Sequence, residues 1–355
     1  MKRRIIWALL TVVIAALTIR TVYAYSGSLS PAQVQESFEG ASPGWIAMTV
    51  LCMMGFIVFE ALAILRILHA FGYRKNLFQG LYYSAGDQFF SAITPSASGG
   101  QPASGLFMGA DGIPGAVITV TLILNLVMYT AATLSVGIIS LVISPGMILQ
   151  YAPFAKVLII GGALMMALLM ILFIGLLRKG EVMLSVGRRI IGFCARIHLT
   201  KRPEHWTEKL ENLVRDHNLC ARSVAGKKRV LVSAYLLNLA QRISQITVTL
   251  MLFYALGWRG TAAGTDVWAV QAFAQIGSNC VPIPGGMGAV DYLMLDGFDS
   301  LSLGEFGYQL QILSRSFSFY ICTLVSGLIV LIGYAANRIR RSRHQESQEE
   351  TGHQE

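Results

Sequence analysis

Apolar runs long enough to cross a membrane alternate along this chain with short polar joints, and two of the runs are broken by prolines and glycines. Residues 45–68, 114–143, 154–177, 230–256 and 314–336 each read as a spanning helix, at ~1.5 Å per residue against a ~30 Å hydrocarbon core. A first run, 5–18, follows Lys2-Arg3-Arg4 and ends near Val22-Tyr23-Ala24, which is similar to a signal-peptidase site; an uncleaved first span is preferred over a cleaved leader. The broken runs are 81–110, containing Thr94-Pro95-Ser96-Ala97-Ser98-Gly99-Gly100-Gln101-Pro102, and 267–298, containing Asn279-Cys280-Val281-Pro282-Ile283-Pro284-Gly285-Gly286-Met287-Gly288. Proline costs about 3 kcal/mol inside a helix and glycine about 1, so no helix passes through either unbroken. In hydrocarbon each freed amide and carbonyl needs another partner, so such breaks pack within protein or line a wet cavity. Each is followed, one short helix later, by Asp-Gly, at Asp111-Gly112 and Asp296-Gly297.

The charge pattern then fixes topology. Residues 178–229 are polar and strongly basic, which predicts a cytoplasmic loop; 26–43 carry Glu36 and Glu39 without lysine or arginine, as an external loop does. With the basic loop inside, 81–110 must start and finish inside and 267–298 must start and finish outside. Both are then re-entrant hairpins. The expected fold is an all-α polytopic membrane protein of six spans plus two hairpins, with 45–143 and 230–336 forming an inverted repeat whose tips meet near the midplane. Within the basic loop, 182–193 and 206–219 have the spacing of amphipathic surface helices, though a solvated loop that fixes orientation explains the charge as well. One membrane domain, 1–337, is followed by a polar tail, 338–355, read as disordered, with both termini cytoplasmic.

Composition narrows the classes. Of 355 residues 54% are hydrophobic and 13% charged, with mean hydropathy +0.57, leaving no separate soluble enzyme domain. The net charge of +9 sits beside apolar segments without an aromatic-basic groove, so nucleic acid is not an expected partner. Five scattered cysteines and six histidines show no metal-ligand spacing, and no metal or cofactor is expected. No nucleophile-base pair or Walker loop appears, which disfavours an ATP-driven pump or a hydrolase.

The candidate chemistry lies in the spans and breaks. Arg242 falls near the middle of its run and Glu60 is similarly deep in the corresponding first-half run; a central arginine costs about 2.5 to 3.5 kcal/mol on insertion, so it faces the interior and needs a partner. Three readings are open: an ion pair with Glu60 or Asp291, a phosphate ligand held by the planar fork, or snorkelling to an interface. Asn238, Gln241 and Gln245 extend its face into a polar stripe. At the breaks, the candidate substrate-binding residues are Pro95, Ser96, Ser98, Gly99, Gly100 and Gln101, then Pro282, Pro284, Gly285, Gly286, Gly288 and Asp291. Amides around the paired glycines could hold an anion, or the glycines could simply permit tight turns and close packing. Asp87, Asp111, Asp291 and Asp296 suit cationic groups or caps of half-helices. Glu60, Asp111, Gln241, Gln245 and Asp296 are candidates for structural or coupling roles.

Pro282-Ile283-Pro284-Gly285-Gly286-Met287-Gly288 with Asp291, and the Ser91 to Pro102 stretch, resemble the two motifs of the lysylphosphatidylglycerol synthase transmembrane family. One departure is Asp291, where that family often has glutamate. The resemblance implies a membrane part that flips an aminoacylated phosphatidylglycerol, while in bifunctional members a separate soluble domain makes the lipid from lysyl-tRNA. After Ala336 this chain has only a short polar tail, so translocation is carried over and catalysis withheld. The expected partner is membrane phospholipid, with a homo-oligomer and a soluble synthase partner left open. The rivals are a phosphatidylglycerol lysyltransferase of lipid modification and cationic peptide resistance, and a non-transporting scaffold docked through 178–229.

Overall fold

In a computed structural model the described residues are 41–94, 99–178, 184–185, 188–189, 191–192, 203–281 and 288–336. The first predicted span, the tips 95–98 and 282–287, most of the predicted 182–193 helix and the tail lie outside them.

Every described element is helical. Pro43 opens α1 (Pro43–Ala70) in the first turn, where its missing N–H costs nothing. Asn76 and Gln79 start α2 (Leu77–Ile93) with a reciprocal capping box, at 2.9 and 3.2 Å. After the first tip come α3 (Gly100–Ala110), α4 (Gly115–Ile143) and α5 (Pro153–Arg178). The basic segment supplies α6 (Pro203–Ala225), longer at both ends than the predicted 206–219. The second half is α7 (Lys228–Ala255), α8 (Gly264–Gly277), α9 (Ala289–Ser300) and α10 (Gly304–Ala336), the last holding a π-helical turn at Ser316–Ile321. By length and composition α1, α4, α5 and α10 can cross a membrane. At 28 residues α7 matches α1 in length, and Asn238, Gln241, Arg242 and Gln245 make it more polar.

The broken runs turn back on themselves. At 17 and 11 residues, α2 and α3 are each too short to cross a ~30 Å core. The start of α2 meets the end of α3, where Asp111 Oδ2 accepts from Gln79 Nε2 at 2.9 Å and from Tyr83 Oη at 2.6 Å. Lys75 Nζ donates to the Asp111 carbonyl at 2.9 Å, closing the same end. In the second half, a Cβ on Gly297 of α9 would strike Val270 of α8, and one on Gly277 would strike Leu293, so these helices also run side by side and antiparallel.

The two halves are inverted copies. The first helix of each (α1, α7) touches the second and fourth, the second touches the third, and the third touches the fourth (α4, α10). The most extensive helix pairing is α1 with α7. It is antiparallel: Ser42 N–H, before α1, donates to the Ala255 carbonyl at the end of α7 at 2.9 Å, while Arg66 Nε near the end of α1 reaches Ser233 Oγ near the start of α7 at 2.9 Å. The hairpins therefore enter from opposite faces. On the outer side of the bundle, α5 leaves Phe154, Val157, Leu164, Leu168 and Ile171 exposed, as a lipid-facing helix does.

The start of the last span also differs from the sequence expectation. The last helix begins at Gly304 rather than at 314, because its first turns carry Glu305, Gln309 and Gln311 and look too polar for a span. Its true start is set by backbone conformation, with Ser302 at φ 57° and Gly304 at φ 54°.

Candidate functional site

The polar stripe on α7 becomes the axis of the interior. Asn238, Gln241, Arg242 and Thr249 are buried where α7 packs on α1 and α4. Asn238 Nδ2 donates to Asn125 Oδ1 of α4 at 3.0 Å, and Thr249 Oγ1 reaches Gln271 Oε1 of α8 at 3.0 Å and Ser314 Oγ of α10 at 2.5 Å. Between these ends lie Arg242 and the carboxyl of Glu60.

Arg242 is 2% exposed, yet it forms no ion pair among the described residues. Its guanidinium lies between two rings, with Cζ 4.3 Å from the Tyr129 centroid and 4.9 Å from that of Phe56. Nη1 donates to Gln245 Oε1 at 2.7 Å and to Tyr129 Oη at 3.4 Å. Its Nε and Nη2 groups have no hydrogen-bond partner among the described residues. Aromatic faces stabilise the cation by about 0.5 to 2 kcal/mol each and leave the Nε–Nη2 edge of the fork, which is buried, without an acceptor. The sequence-level pairing of Arg242 with Glu60 or Asp291 is therefore not the arrangement found.

Glu60, 3% exposed, is held instead by neutral donors: Ser84 Oγ at 3.0 Å, Gln241 Nε2 at 3.1 Å and Gln88 Nε2. On the same turn of α2 as Ser84 and Gln88, Asp87 accepts from Gln101 Nε2 at 2.7 Å and from Ser91 Oγ at 3.3 Å. Gln101 thus ties the first hairpin to this cluster. Gly100 allows it, because a Cβ there would stand 2.5 Å from the Asp87 carbonyl oxygen. Gly99 N–H donates to Thr94 Oγ1 at 2.8 Å and has an ordinary φ of −83°, so close approach rather than a left-handed backbone explains this glycine pair. Gly288 is the opposite case, at φ 76° with open space beside it.

Asp291 is paired with Arg315, which the sequence reading did not single out. Arg315 Nε lies 3.1 Å from Asp291 Oδ1, Gln311 Nε2 donates to the same oxygen at 2.7 Å, and Gly288 N–H donates to Oδ2 at 3.0 Å. Asp291, Gln311 and Arg315, with Leu295, Tyr308, Ile312 and Tyr320, line a cavity of about 230 Å³ beside the π-helical turn of α10. Such turns recur at functional sites, and a lone arginine in the polar first turns of an apolar run was the available sequence signal. The Ser314–Thr249 contact joins α10, next to Arg315 in sequence, to α7 about two turns, or ~10 Å, from Arg242.

Asp111 and Asp296 act as ties. The first closes its hairpin as described; Asp296 Oδ2 accepts the Ala152 N–H at 2.9 Å, joining α9 to the start of α5. Pro95, Ser96, Ser98, Pro282, Pro284, Gly285 and Gly286 lie outside the described residues, as does any meeting of the two tips. Among the described residues no group of three or more His, Cys, Asp or Glu side chains gathers as a metal site.

Residues 5–326 match a family model described as the lysylphosphatidylglycerol synthase TM region. Comparison with curated proteins and with solved structures gave no match.

Proposed function

Because the chain belongs to the family of the lysylphosphatidylglycerol synthase TM region, a membrane family tied to lipid, we propose that it is a lipid translocase that moves phospholipid headgroups past Arg242. The observation that carries this reading is the buried guanidinium with two donor groups left unpartnered among the described residues. An unsatisfied charged donor in a membrane interior costs several kcal/mol, and a structural role alone would have matched it with a carboxylate. A phosphate completes it, with two oxygens against the free edge of the fork.

The rest of the interior supports passage rather than storage. Gln245, Gln241, Asn238 and Thr249 offer successive neutral hydrogen-bonding groups along α7, and the Asp291–Arg315 cavity supplies a second polar niche between α9 and α10. Neutral amides exchange partners at low cost, so a headgroup moving along them avoids any single deep trap, while its acyl chains remain in lipid. In this reading the lipid is a phospholipid such as an aminoacylated phosphatidylglycerol, whose ammonium suits the carboxylate of Asp291.

Orientation follows from charge. Arg66, Arg74, Lys75, Arg178, Lys227, Lys228 and Arg229 share one face of the bundle, against Lys156 and Arg259 near the other, so the basic face is the cytoplasmic side of a multi-pass cell-membrane protein. The test is purified protein in phosphatidylcholine vesicles with a tail-labelled phosphatidylglycerol and a quencher that reaches only the outer leaflet. Quenching of inner-leaflet label faster than in protein-free vesicles is expected; equal rates overturn the reading.

A further inference from the structure

The last helix packs on both hairpins, and its backbone changes type between them. The first turns of α10 hold the second hairpin: Arg315 Nε lies 3.1 Å from Asp291 Oδ1, Gln311 Nε2 donates to the same oxygen at 2.7 Å, and a Cβ on Gly307 would stand 2.9 Å from Phe298 Cβ. Its later turns hold the first hairpin. A Cβ on Gly327 would stand 3.0 Å from Phe89 Cε2, one on Gly333 would strike the Tyr82 ring, and Val330 shares a core with both rings. The π-helical turn, Ser316–Ile321, lies between these contact zones, and its Phe319 ring sits 5.0 Å from the Arg315 guanidinium. Bridging the hairpins does not itself demand such a turn. The inverted copy, α4, meets the first hairpin through Ile118 and Leu122 and the second through Gly137, against Ile276, and it is regular α-helix over its 29 residues.

A π turn holds about one residue more than the α turn it replaces, which offsets everything beyond it by about 100° and ~1.5 Å along the axis. The turn therefore sets Arg315 on Asp291 and Gly327 on Phe89 at once; if the same residues closed into α-helix, one zone would rotate off its partner. The zone before the turn is tethered by the Ser314–Thr249 bond and by the three-residue joint 301–303 to α9. The zone after it turns lipid-exposed Leu324, Leu328 and Ile332 outward, so it is the part free to rotate. Asp291 holds the turn through Arg315, which lies directly before it and stacks on Phe319. We propose that the π turn is a two-position joint that relays the state of the Asp291 cavity to the first hairpin. While Asp291 holds Arg315 the turn stays π and the glycine seats keep Phe89 and Tyr82; when a ligand takes either partner, the turn closes to α-helix and the seats rotate away.

The joint does not rest on the translocation reading, and the experiment needs no lipid substrate. Hydrogen exchange of the purified full chain in detergent is read by mass spectrometry in 82–92, with 203–225 as the reference for global stability. Asp291→Asn and Arg315→Gln should each raise exchange in 82–92 by at least about fivefold beyond any change in the reference. Deleting Ile321, the exposed residue of the turn, removes the extra residue, so 304–336 becomes continuous α-helix with both contact zones in phase. In that background the same substitutions should leave 82–92 at the level of the deletion alone. No rise in 82–92 from either substitution overturns the relay, and this arm decides without the deletion. A rise that survives the deletion travels without the π turn and overturns the joint. A deletion that does not fold shows that the turn is no removable insertion, which overturns it as well. Lipid movement measured on the same preparations bears on translocation alone.

Discussion

Replacing Gly100 by alanine tests how the first hairpin is held against the carboxyl cluster. The new Cβ would lie 2.5 Å from the Asp87 backbone carbonyl and closer still to Asp87 Oδ1 and Ser91 Oγ. The side-chain atoms can rotate away, but the carbonyl belongs to α2 and cannot, so α3 must retreat by about 1 Å to restore ordinary contact. Overpacking of this kind costs about 1–3 kcal/mol, and the retreat breaks the 2.7 Å bond from Gln101 to Asp87, worth about 1.5–3. A loss of about 2.5–6 kcal/mol is expected, less up to about 1 for helix propensity. Gly109 is the control in the same helix, since its Cβ would meet only Ile118 Cδ1, at 3.6 Å. There, alanine gains up to about 1 kcal/mol of helix propensity. Thermal unfolding of both variants in one detergent, followed by circular dichroism, reads the contrast. Gly100→Ala as stable as Gly109→Ala would refute the close approach.

Asp291→Asn removes the carboxylate 3.1 Å from Arg315 Nε and should cost about 1–3 kcal/mol, part of it recovered in Asp291→Asn/Arg315→Gln; additive losses would show that the pair is not coupled. Gly162→Ala brings a Cβ within 2.8 Å of the Ile276 carbonyl carbon and should separate α5 from α8, seen as faster hydrogen exchange in 264–277. His217 is buried on α6, and desolvation pushes its imidazole below the usual 6.5, partly offset by its bond to the Leu176 carbonyl. The folded state then binds its proton less readily than the unfolded chain, so docking of α6 is complete above about pH 6.5 and weakens as pH falls below it. Hydrogen exchange in 203–225, corrected for intrinsic rates, should rise at pH 5 in the native protein and change less in His217→Gln. For orientation, cysteines at Gly146 and Thr261 should label from outside sealed cells and one at Gly226 should not; the reverse would invert the assigned faces.

The fold was legible because helix breakers and charge act locally. Proline and glycine at the two breaks, the Asp-Gly turns after them and the basic joints were enough to give hairpins of opposite entry. The interior pairings were not legible, since they depend on which faces meet. Arg242 and Glu60 sit at matching depths, which suggested a salt bridge, but the α1–α7 packing presents Gln241 to Glu60 and turns Arg242 toward Phe56 and Tyr129. By sequence Asp87 suits a cap or a cation ligand, whereas the structure gives it Gln101 of α3 as a donor, a partner set by how the hairpin folds back. Arg315 went unnoticed because its carboxylate, Asp291, belongs to the preceding short helix, beyond the reach of helical periodicity.

Translocation through Arg242 is the central claim, and side-by-side measurement of folded yield and inner-leaflet quenching for three variants tests it most directly. Arg242→Lys keeps the charge but loses the planar fork, so the account predicts normal yield with lipid movement reduced at least tenfold. Arg242→Gln should be equally slow, and adding Glu60→Gln should not restore movement, because no ion pair joins the two residues. Native rates in Arg242→Lys, or recovery of both yield and movement in Arg242→Gln/Glu60→Gln, would contradict the account and return Arg242 to a structural role.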